Sequence, residues 1–337
     1  MKIELQRAEF DRIVASLSGS YRVFAPKIVK GMGAFSGEDI VAYGDISDGS
    51  DIVADRKSYF SPKEALFPPR ERILSLKPTG DRANPYDHGI PALSDERDVI
   101  VFLRPCDIHG IDRLDRMFLG NGVTEDYYYA RRRKRLRYFM IECVEGFDSC
   151  FCASVGTNEW SDYAAAFRFA GTSVYADVRD EAFTSAFSEG KPATFDIRFA
   201  VENKTVVSLP ELSAIKPEHF TEGPWAEYTR RCVNCGRCNT SCPTCSCFTV
   251  QDAAEDGSLF RRRRWAGCHV NGFSDMAGGN SFRKLNGERM RFKTLHKIYD
   301  FRKRFGVPMC VGCGRCDDVC PEYISFSACV NRIGDKI

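Results

Sequence analysis

The chain has no long apolar stretch and almost no excess of either charge. Its longest apolar runs, such as Val99–Leu103, are far shorter than the roughly 20 residues that a membrane-spanning helix needs. The first residues, MKIELQRAEFDRIV, include acidic side chains and lack the apolar segment of a signal peptide. The formal net charge of +2 favours no particular partner. We therefore expect a soluble cytoplasmic protein that does not associate with membranes.

The common catalytic motifs are missing as well. The sequence contains no G-x-x-x-x-G-K-[ST] phosphate loop. Its nearest dinucleotide-type loop, GMGAFSG at 31–37, lacks the third glycine at the required spacing and is more typical of a turn. No H-E-x-x-H or G-x-S-x-G string occurs. The histidines are scattered along the chain, at His88, His109, His219, His269 and His296. We expect no catalytic residue and no substrate site in this chain.

Cysteine, in contrast, is abundant, with 16 cysteines in 337 residues. A secreted protein that depends on disulfides would be short and would carry a signal sequence. In a reducing compartment, clustered cysteines indicate bound metal instead. The arrangement of the cysteines should therefore show which metal site the chain carries.

Two nearly identical cysteine motifs stand in the C-terminal third, CVNCGRCNTSCP at 232–243 and CVGCGRCDDVCP at 310–321. The spacing C-x2-C-x2-C-x3-C-P is the signature of bacterial ferredoxins with [4Fe–4S] clusters. Three closely spaced thiolates can surround one corner of a cubane, and the fourth cysteine binds the other cluster in two-cluster ferredoxins. Cluster one is predicted to be bound by Cys232, Cys235, Cys238 and Cys320. Cluster two is predicted to be bound by Cys310, Cys313, Cys316 and Cys242.

Structural zinc is the alternative for these motifs. Zinc sites usually combine two C-x2-C pairs that are separated by a longer stretch. Four cysteines within eleven residues, followed by proline and repeated, fit that pattern poorly. Iron–sulfur clusters are therefore favoured over zinc.

The rest of the chain predicts a mixed α+β or α/β architecture in two domains. Residues 1–220 form the predicted α/β domain, and residues 221–337 the expanded ferredoxin-like domain with an insert at 244–309. Apolar spacing predicts a helix around Phe10–Leu17 and another from Glu288 to Phe305. Strands are predicted at Tyr21–Val29, Asp39–Ile46, Val99–Leu103, Tyr138–Val144 and Ala193–Val201. Prolines 210, 217 and 224 mark a predicted linker.

Four further cysteines follow predicted strands in the N-terminal domain. One strand leads into RPCDIHGI and the other into ECVEGFDSCFC, which contain Cys106, Cys143, Cys150 and Cys152. Strand ends that lie side by side could bring these cysteines together at a third [4Fe–4S] cluster, although their spacing matches no standard motif. Buried free thiols are the alternative. For the remaining four, Cys245, Cys247, Cys268 and Cys329, core thiols are the favoured interpretation.

Two arginine-rich runs, RRRKRLR at 131–137 and RRRRW at 261–265, allow three interpretations. They could form a solvated face, they could neutralise clusters and contact an acidic partner subunit, or they could bind nucleic acid. The third interpretation has no supporting recognition motif. A structural or nucleic-acid-binding metal protein is therefore an unfavoured alternative.

Several segments together resemble one known family. They are RRCVNCGRCNTSCPTCSCF, RRRRWAGC, MAGG and CVGCGRCDDVCP, with SYFSPKEALFP at 58–68, RPCDIHGI at 104–111 and CFC at 150–152. The chain thus resembles the iron–sulfur electron-transfer subunit of anaerobic sulfite reductase, which is related to the beta subunit of cytoplasmic NiFe sulfhydrogenases. GCHV at 267–270 departs from the SCM of relatives and leaves the role of Cys268 open.

The resemblance implies an electron-transfer function. In that family, an NAD(P)H-oxidising flavin subunit supplies electrons, and the iron–sulfur subunit relays them one at a time through [4Fe–4S] clusters. A sirohaem subunit then reduces sulfite to sulfide. The resemblance also implies that Cys106, Cys143, Cys150 and Cys152 hold a third cluster. The alternative is the beta subunit of a cytoplasmic NiFe hydrogenase, since both kinds of partner would meet a similar surface.

Overall fold

The computed structural model describes residues 1–33, 36–221, 224–255 and 257–334. It has the predicted mixed architecture, with one large sheet, a smaller sheet and short helices. The strands are β1 (Lys2–Gln6), β2 (Arg22–Val29), β3 (Ile40–Ile46), β4 (Arg70–Pro78), β5 (Tyr86–Gly89), β6 (Val99–Leu103), β7 (Leu136–Ile141), β8 (Ala165–Ala170), β9 (Ser173–Val178), β10 (Lys191–Pro192), β11 (Phe248–Glu255), β12 (Ser258–Trp265), β13 (Asp275–Met276) and β14 (Asn280–Ser281). The helices are α1 (Arg7–Ser20), α2 (Pro105–Phe118), α3 (Tyr127–Arg133), α4 (Trp225–Arg231), α5 (Arg237–Thr240), α6 (Asn286–Leu295), α7 (Phe301–Phe305), α8 (Arg315–Asp318) and α9 (Phe326–Gly334).

The large sheet has the order β10-β1-β9-β8-β7-β6-β2-β3. Its centre is parallel, because β6 pairs in parallel with both β2 and β7, and β7 pairs in parallel with β8. Alternate residues of β6 enter different cores, Ile100 and Phe102 on one face and Val101 and Leu103 on the other. A strand that is covered on both faces is continuously apolar. The continuous apolar run Val99–Leu103 therefore predicted β6 correctly.

Other secondary-structure predictions fared differently. Helix α1 is confirmed. At its start the backbone N–H of Gln6 donates a hydrogen bond to Glu9 Oε2, 2.7 Å away. The strand predicted at Ala193–Val201 is wrong, because that segment makes only one isolated bridge, between Phe199 and Cys143. The N–H of Arg198 donates to the Glu142 side chain, 2.7 Å away, and is therefore not available to a strand ladder.

The insert joins the N-terminal half through a second sheet. Strands β11 and β12 form a hairpin, and β12 pairs antiparallel with β4, so that the order is β11-β12-β4-β5. The predicted insert helix is present as α6, a π-helical turn at His296–Asp300 and α7 in direct succession. The proposed domain boundary near residue 220 remains a prediction.

The two cysteine motifs form equivalent loops that end in the short helices α5 and α8. Each of these helices begins after a glycine with positive φ, Gly236 at +72° and Gly314 at +68°. Glycine reaches this conformation without the steric cost that other residues meet. The turn predicted at 31–37 includes Ala34 and Phe35, which lie outside the described residues. No helix in the described part of the chain is long and apolar enough to cross a membrane.

Candidate iron–sulfur centres

The first predicted ligand set surrounds one cavity. Its walls include all four cysteines of that set, Cys232, Cys235, Cys238 and Cys320. Cys235 is exposed, whereas each of the other fifteen cysteines is at least half-buried. The N–H of Ile324 donates to Cys320 Sγ at 3.3 Å. Backbone donors of this kind stabilise a thiolate, so the first set suits an anionic cluster close to the surface.

The second predicted set crosses between the motifs in the expected way. Cys242, from the first motif, is among the groups that raise the pKa of Cys310, Cys313 and Cys316, after the dominant effect of burial. The N–H of Gly312 donates to Cys310 Sγ at 3.5 Å. The structure therefore gathers these four sulfurs in the interior, where they sit beside the first set.

The pKa values of Cys242 and its neighbour Cys245 are shifted in opposite directions. A hydrogen bond from the Cys245 thiol holds the pKa of Cys242 well below its usual value, helped by the charge of Lys297. The same bond and burial raise the pKa of Cys245. Cys242 is thus suited to bind iron as a thiolate, and Cys245 is suited to donate a hydrogen bond to it.

The third set assembles at the carboxyl edge of the parallel strands. Cys106 lies in the first turn of α2, directly after β6, and Cys143 follows β7. Parallel strands end at the same edge of a sheet, so these two cysteines come close together. Burial is the main cause that raises the pKa of Cys143 and Cys106, and nearby thiols add to it, Cys150 for Cys143 and Cys152 for Cys106. Cys150 and Cys152 therefore complete the group.

Two buried donors without partners lie beside the third set. Asn203 Oδ1 is 3.5 Å from Cys152 Sγ, and its Nδ2 finds no hydrogen-bond partner among the described residues. Arg104 Nη1, near Cys143, has no partner within the same residues either. Buried donors are rarely left unpaired. These two would be satisfied by the sulfides of a cluster, so this donor set fits a [4Fe–4S] group.

The second and third sets are in direct backbone contact. The N–H of Phe151 donates to Gly312 O at 2.7 Å, and Cys150 Sγ lies 3.6 Å from Cys313 O. A Cβ added at Gly312 would lie 2.6 Å from Phe151 O. The loop of the third set therefore packs tightly against the second cysteine motif.

Three buried lysines face the cysteines. Lys63, Lys293 and Lys297 are 2%, 3% and 3% exposed. None of the three forms an ion pair with a carboxylate in the described part of the chain. Lys297 Nζ instead lies 3.4 Å from Cys242 Sγ and 2.8 Å from Thr244 Oγ1. An ammonium group buried without a counter-ion is costly, and anionic clusters would supply the missing negative charge.

Sequence reasoning missed these lysines, although one signal was present. Lys297 stands seven residues after Met290 and four before Phe301, which places it on the apolar stripe of the helix. A cation at such a position predicts a buried partner. Lys293 lies one turn earlier on the same face.

The arginine-rich runs are mostly internal ion-pair partners. Arg263 is 1% exposed, with Nε 2.8 Å from Glu71 and Nη1 2.8 Å from Asp126. Arg131 and Arg132 also pair with Glu71. Arg263 thereby joins the insert to the N-terminal half, and the solvated-face interpretation does not hold for these three paired arginines.

The remaining thiols lie in the protein interior or close to it. The Nδ2 group of Asn239 contacts Cys245 Sγ and Cys268 Sγ at 3.5 and 3.4 Å, and Cys329 contacts Thr294 Oγ1 at 3.6 Å. His269, which follows Cys268, lies with Nδ1 3.8 Å from Cys232 Sγ. Over the described ranges, no three Cys, His, Asp or Glu side chains are grouped closely enough for a single metal ion.

Comparison with known protein families supports the [4Fe–4S] interpretation of the two C-terminal cysteine motifs. Residues 231–324 match the family described as "4Fe-4S dicluster domain". The chain carries a dicluster domain. This match confirms the predicted ferredoxin-like part of the fold and supports [4Fe–4S] cofactors. Because the domain covers less than a third of the chain, it leaves residues 1–230 unassigned.

One curated relative extends over most of the chain. The sequence is 28% identical over 302 residues to "Sulfhydrogenase 2 subunit beta" of Pyrococcus furiosus, which is 83% of this chain and 85% of that protein. No solved structure matches. The domain match and this relative agree with an iron–sulfur subunit, and the relative is a subunit of a sulfhydrogenase and not of a sulfite reductase.

Proposed function

We propose that this chain is the electron-transfer subunit of a multisubunit oxidoreductase and relays single electrons through three [4Fe–4S] clusters. The observation that carries the proposal is the grouping of twelve cysteines into three sets, faced by buried cations and donors that lack other partners. Clusters of this kind change by one electron, and their potentials depend on nearby charge, hydrogen bonds to sulfur and exposure. The chain's own residues would position and tune the clusters.

The proposed ligands follow the sequence assignment. Cluster one takes Cys232, Cys235, Cys238 and Cys320. Cluster two takes Cys242, Cys310, Cys313 and Cys316. Cluster three takes Cys106, Cys143, Cys150 and Cys152. The contacts between neighbouring sets support this division.

We further propose a linear order, with cluster two in the middle. Cys316 belongs to the cluster-two set and also lines the cavity of cluster one. On the other side, Cys313 of the cluster-two set raises the pKa of Cys106 of the cluster-three set. Electrons that pass between clusters one and three would therefore cross cluster two.

The cluster-one end is the proposed contact point for a redox partner. Cys235 reaches the surface there, and Val233, which lines the same cavity, and Tyr323, whose N–H donates to Cys320 O, are 56% and 87% exposed. Apolar side chains around an exposed cluster ligand suit a partner subunit. The proposal requires no substrate site in this chain.

The proposed partners are a flavin subunit that oxidises NAD(P)H and the catalytic subunit of a sulfhydrogenase-type hydrogenase. The name of the curated relative, a sulfhydrogenase beta subunit, supports the hydrogenase partner, whereas the flavin subunit is what the motif resemblance implies. The second candidate keeps the relay but replaces the hydrogenase with a sirohaem sulfite reductase subunit, as the motif resemblance implies. Nickel in the purified complex would favour the first, whereas sirohaem absorbance would favour the second.

The first experiment is a measurement of iron and acid-labile sulfide per chain, on protein purified without oxygen, together with EPR of the reduced state. About 12 irons with coupled paramagnets supports three cubanes. About 8 irons would leave the two-cluster relay and return the third cysteine set to the core. Zinc without labile sulfide, or affinity for nucleic acid that falls steeply with salt, would contradict the relay.

A further inference from the structure

We infer that Lys293 and Lys297 set the reduction potentials of the ferredoxin-type clusters, with Lys297 acting on cluster two alone and Lys293 acting on both clusters. The inference rests on the proposed function, because it needs the clusters to be present. The two lysines lie four residues apart in the insert helix and share one face of it. Their contacts with cysteine differ, and this difference makes the inference testable.

Lys297 contacts the ligands of cluster two. Its Nζ is 3.4 Å from Cys242 Sγ, and the Thr244 hydroxyl, 2.8 Å away, fixes its position. The cysteines that interact most strongly with its charge are Cys242, Cys245 and Cys310. Two of these are proposed ligands of cluster two, and none belongs to cluster one.

Lys293 lies between the two clusters. It hydrogen-bonds with Cys238, a proposed ligand of cluster one, and it interacts next most strongly with Cys316, a proposed ligand of cluster two. It also lines the cavity that the cluster-one cysteines surround. The Phe326 ring, with its centre 5.4 Å from Nζ, helps to cover the ammonium group.

A fixed positive charge at these places stabilises the reduced cluster more than the oxidised one, because reduction adds a negative charge. Solvent screens such a charge little when it is buried, and both side chains are 3% exposed. No carboxylate in the described residues pairs with either lysine to cancel the effect. The unpaired charge therefore raises the potential of every cluster whose ligands it contacts.

The test compares Lys297→Met and Lys293→Met in the anaerobically purified, cluster-loaded chain by EPR-monitored redox titration. The signals are assigned with Cys235→Ala and Cys313→Ala. Lys297→Met should lower the midpoint potential of cluster two alone. We expect the ratio of reduced to oxidised cluster two at a fixed potential to fall about tenfold, which corresponds to about 59 mV for one electron. Lys293→Met should lower both midpoints.

Arginine variants at the two positions keep the charge and should restore the midpoints. The control is Lys303→Met, at an exposed position on α7, which should move neither midpoint. Should a methionine variant lose iron while its arginine variant retains it, the glutamine variant at that position is titrated instead and should show the lowered midpoint. Should both lose iron equally, packing and not charge is what matters, and the inference is wrong.

The outcomes also separate this inference from the proposed function. Wild-type protein without iron and labile sulfide overturns the proposed function itself. Wild-type protein with clusters whose midpoints stay unchanged in both methionine variants overturns only the role of the lysines. If both methionine variants shifted the midpoint potential of the same single cluster by the same amount, the inference that Lys293 acts on two clusters and Lys297 on one would be wrong.

Discussion

Asp107 and Arg315 form a buried ion pair between the second and third cysteine sets. Arg315 Nη1 lies 2.6 Å from Asp107 Oδ1, and the two residues are 1% and 0% exposed. The Tyr43 hydroxyl donates to Asp107 Oδ2 at 3.1 Å, and Arg315 Nε donates to Ser58 O at 3.0 Å. The pair thus links α2, which carries Cys106 in its first turn, to α8, the short helix within the second motif.

Removal of one partner of this pair should be strongly destabilising. Asp107→Asn removes the carboxylate partner of the buried Arg315 charge, and breaking a buried pair costs about 3–5 kcal/mol. We expect a lower denaturant midpoint for the cluster-loaded protein. The matched control is Asp45→Asn, which breaks the half-exposed pair with Arg22 and should cost less than about 1 kcal/mol. Equal losses in the two variants would contradict a special role for the buried pair.

Loss of cluster two should interrupt the relay without affecting the partners. Cys313→Ala removes a buried thiol that we propose as a ligand of the central cluster. We expect turnover that needs both partner subunits to stop, while the isolated activity of each partner persists. The measurement is coupled turnover in the reconstituted complex, compared with artificial-dye assays of each partner. Unchanged coupled turnover would show that electrons bypass cluster two.

The third cluster can be tested by counting iron. Cys150→Ala and Cys152→Ala should each lower the iron content by about four per chain, because one cubane is lost. Cys329→Ala is the matched control, since that thiol is fully buried but hydrogen-bonds with Thr294 and Tyr228 rather than facing a proposed cluster. If all three variants lost iron to the same extent, general destabilisation would explain the result and the third site would lose its support.

Features that short sequence patterns encode could be predicted, whereas features that depend on tertiary contacts could not. The cysteine motifs were readable because cluster ligands follow fixed short spacings, and β6 was readable because both of its faces are buried. The pairing of β12 with β4 joins residues far apart in the chain, and no local pattern encodes it. The role of Lys293 likewise depends on two loops that only the folded chain brings around it. The segment Ala193–Val201 has suitable residues for a strand, but the Arg198 N–H donates to the Glu142 side chain instead of to a neighbouring strand.

Gly314 provides the last prediction, because it combines a positive φ with a tight contact. Its φ is +68°, and a Cβ at this position would overlap Ser149 O in the loop of the third set. Gly306 has a similar φ of +76° but no atom within 4 Å of its would-be Cβ. Gly306→Ala should therefore show only the backbone cost of about 1–2 kcal/mol.

Gly314→Ala should cost clearly more than this in denaturant unfolding, since the cysteine motif and the loop of the third set must move apart. The same variant should also disturb the EPR coupling between clusters two and three, whereas Gly306→Ala leaves it unchanged. Equal destabilisation and unaltered coupling in both variants would mean that the backbone conformation alone requires glycine. In that case the close approach of the two loops would not constrain the distance between the clusters.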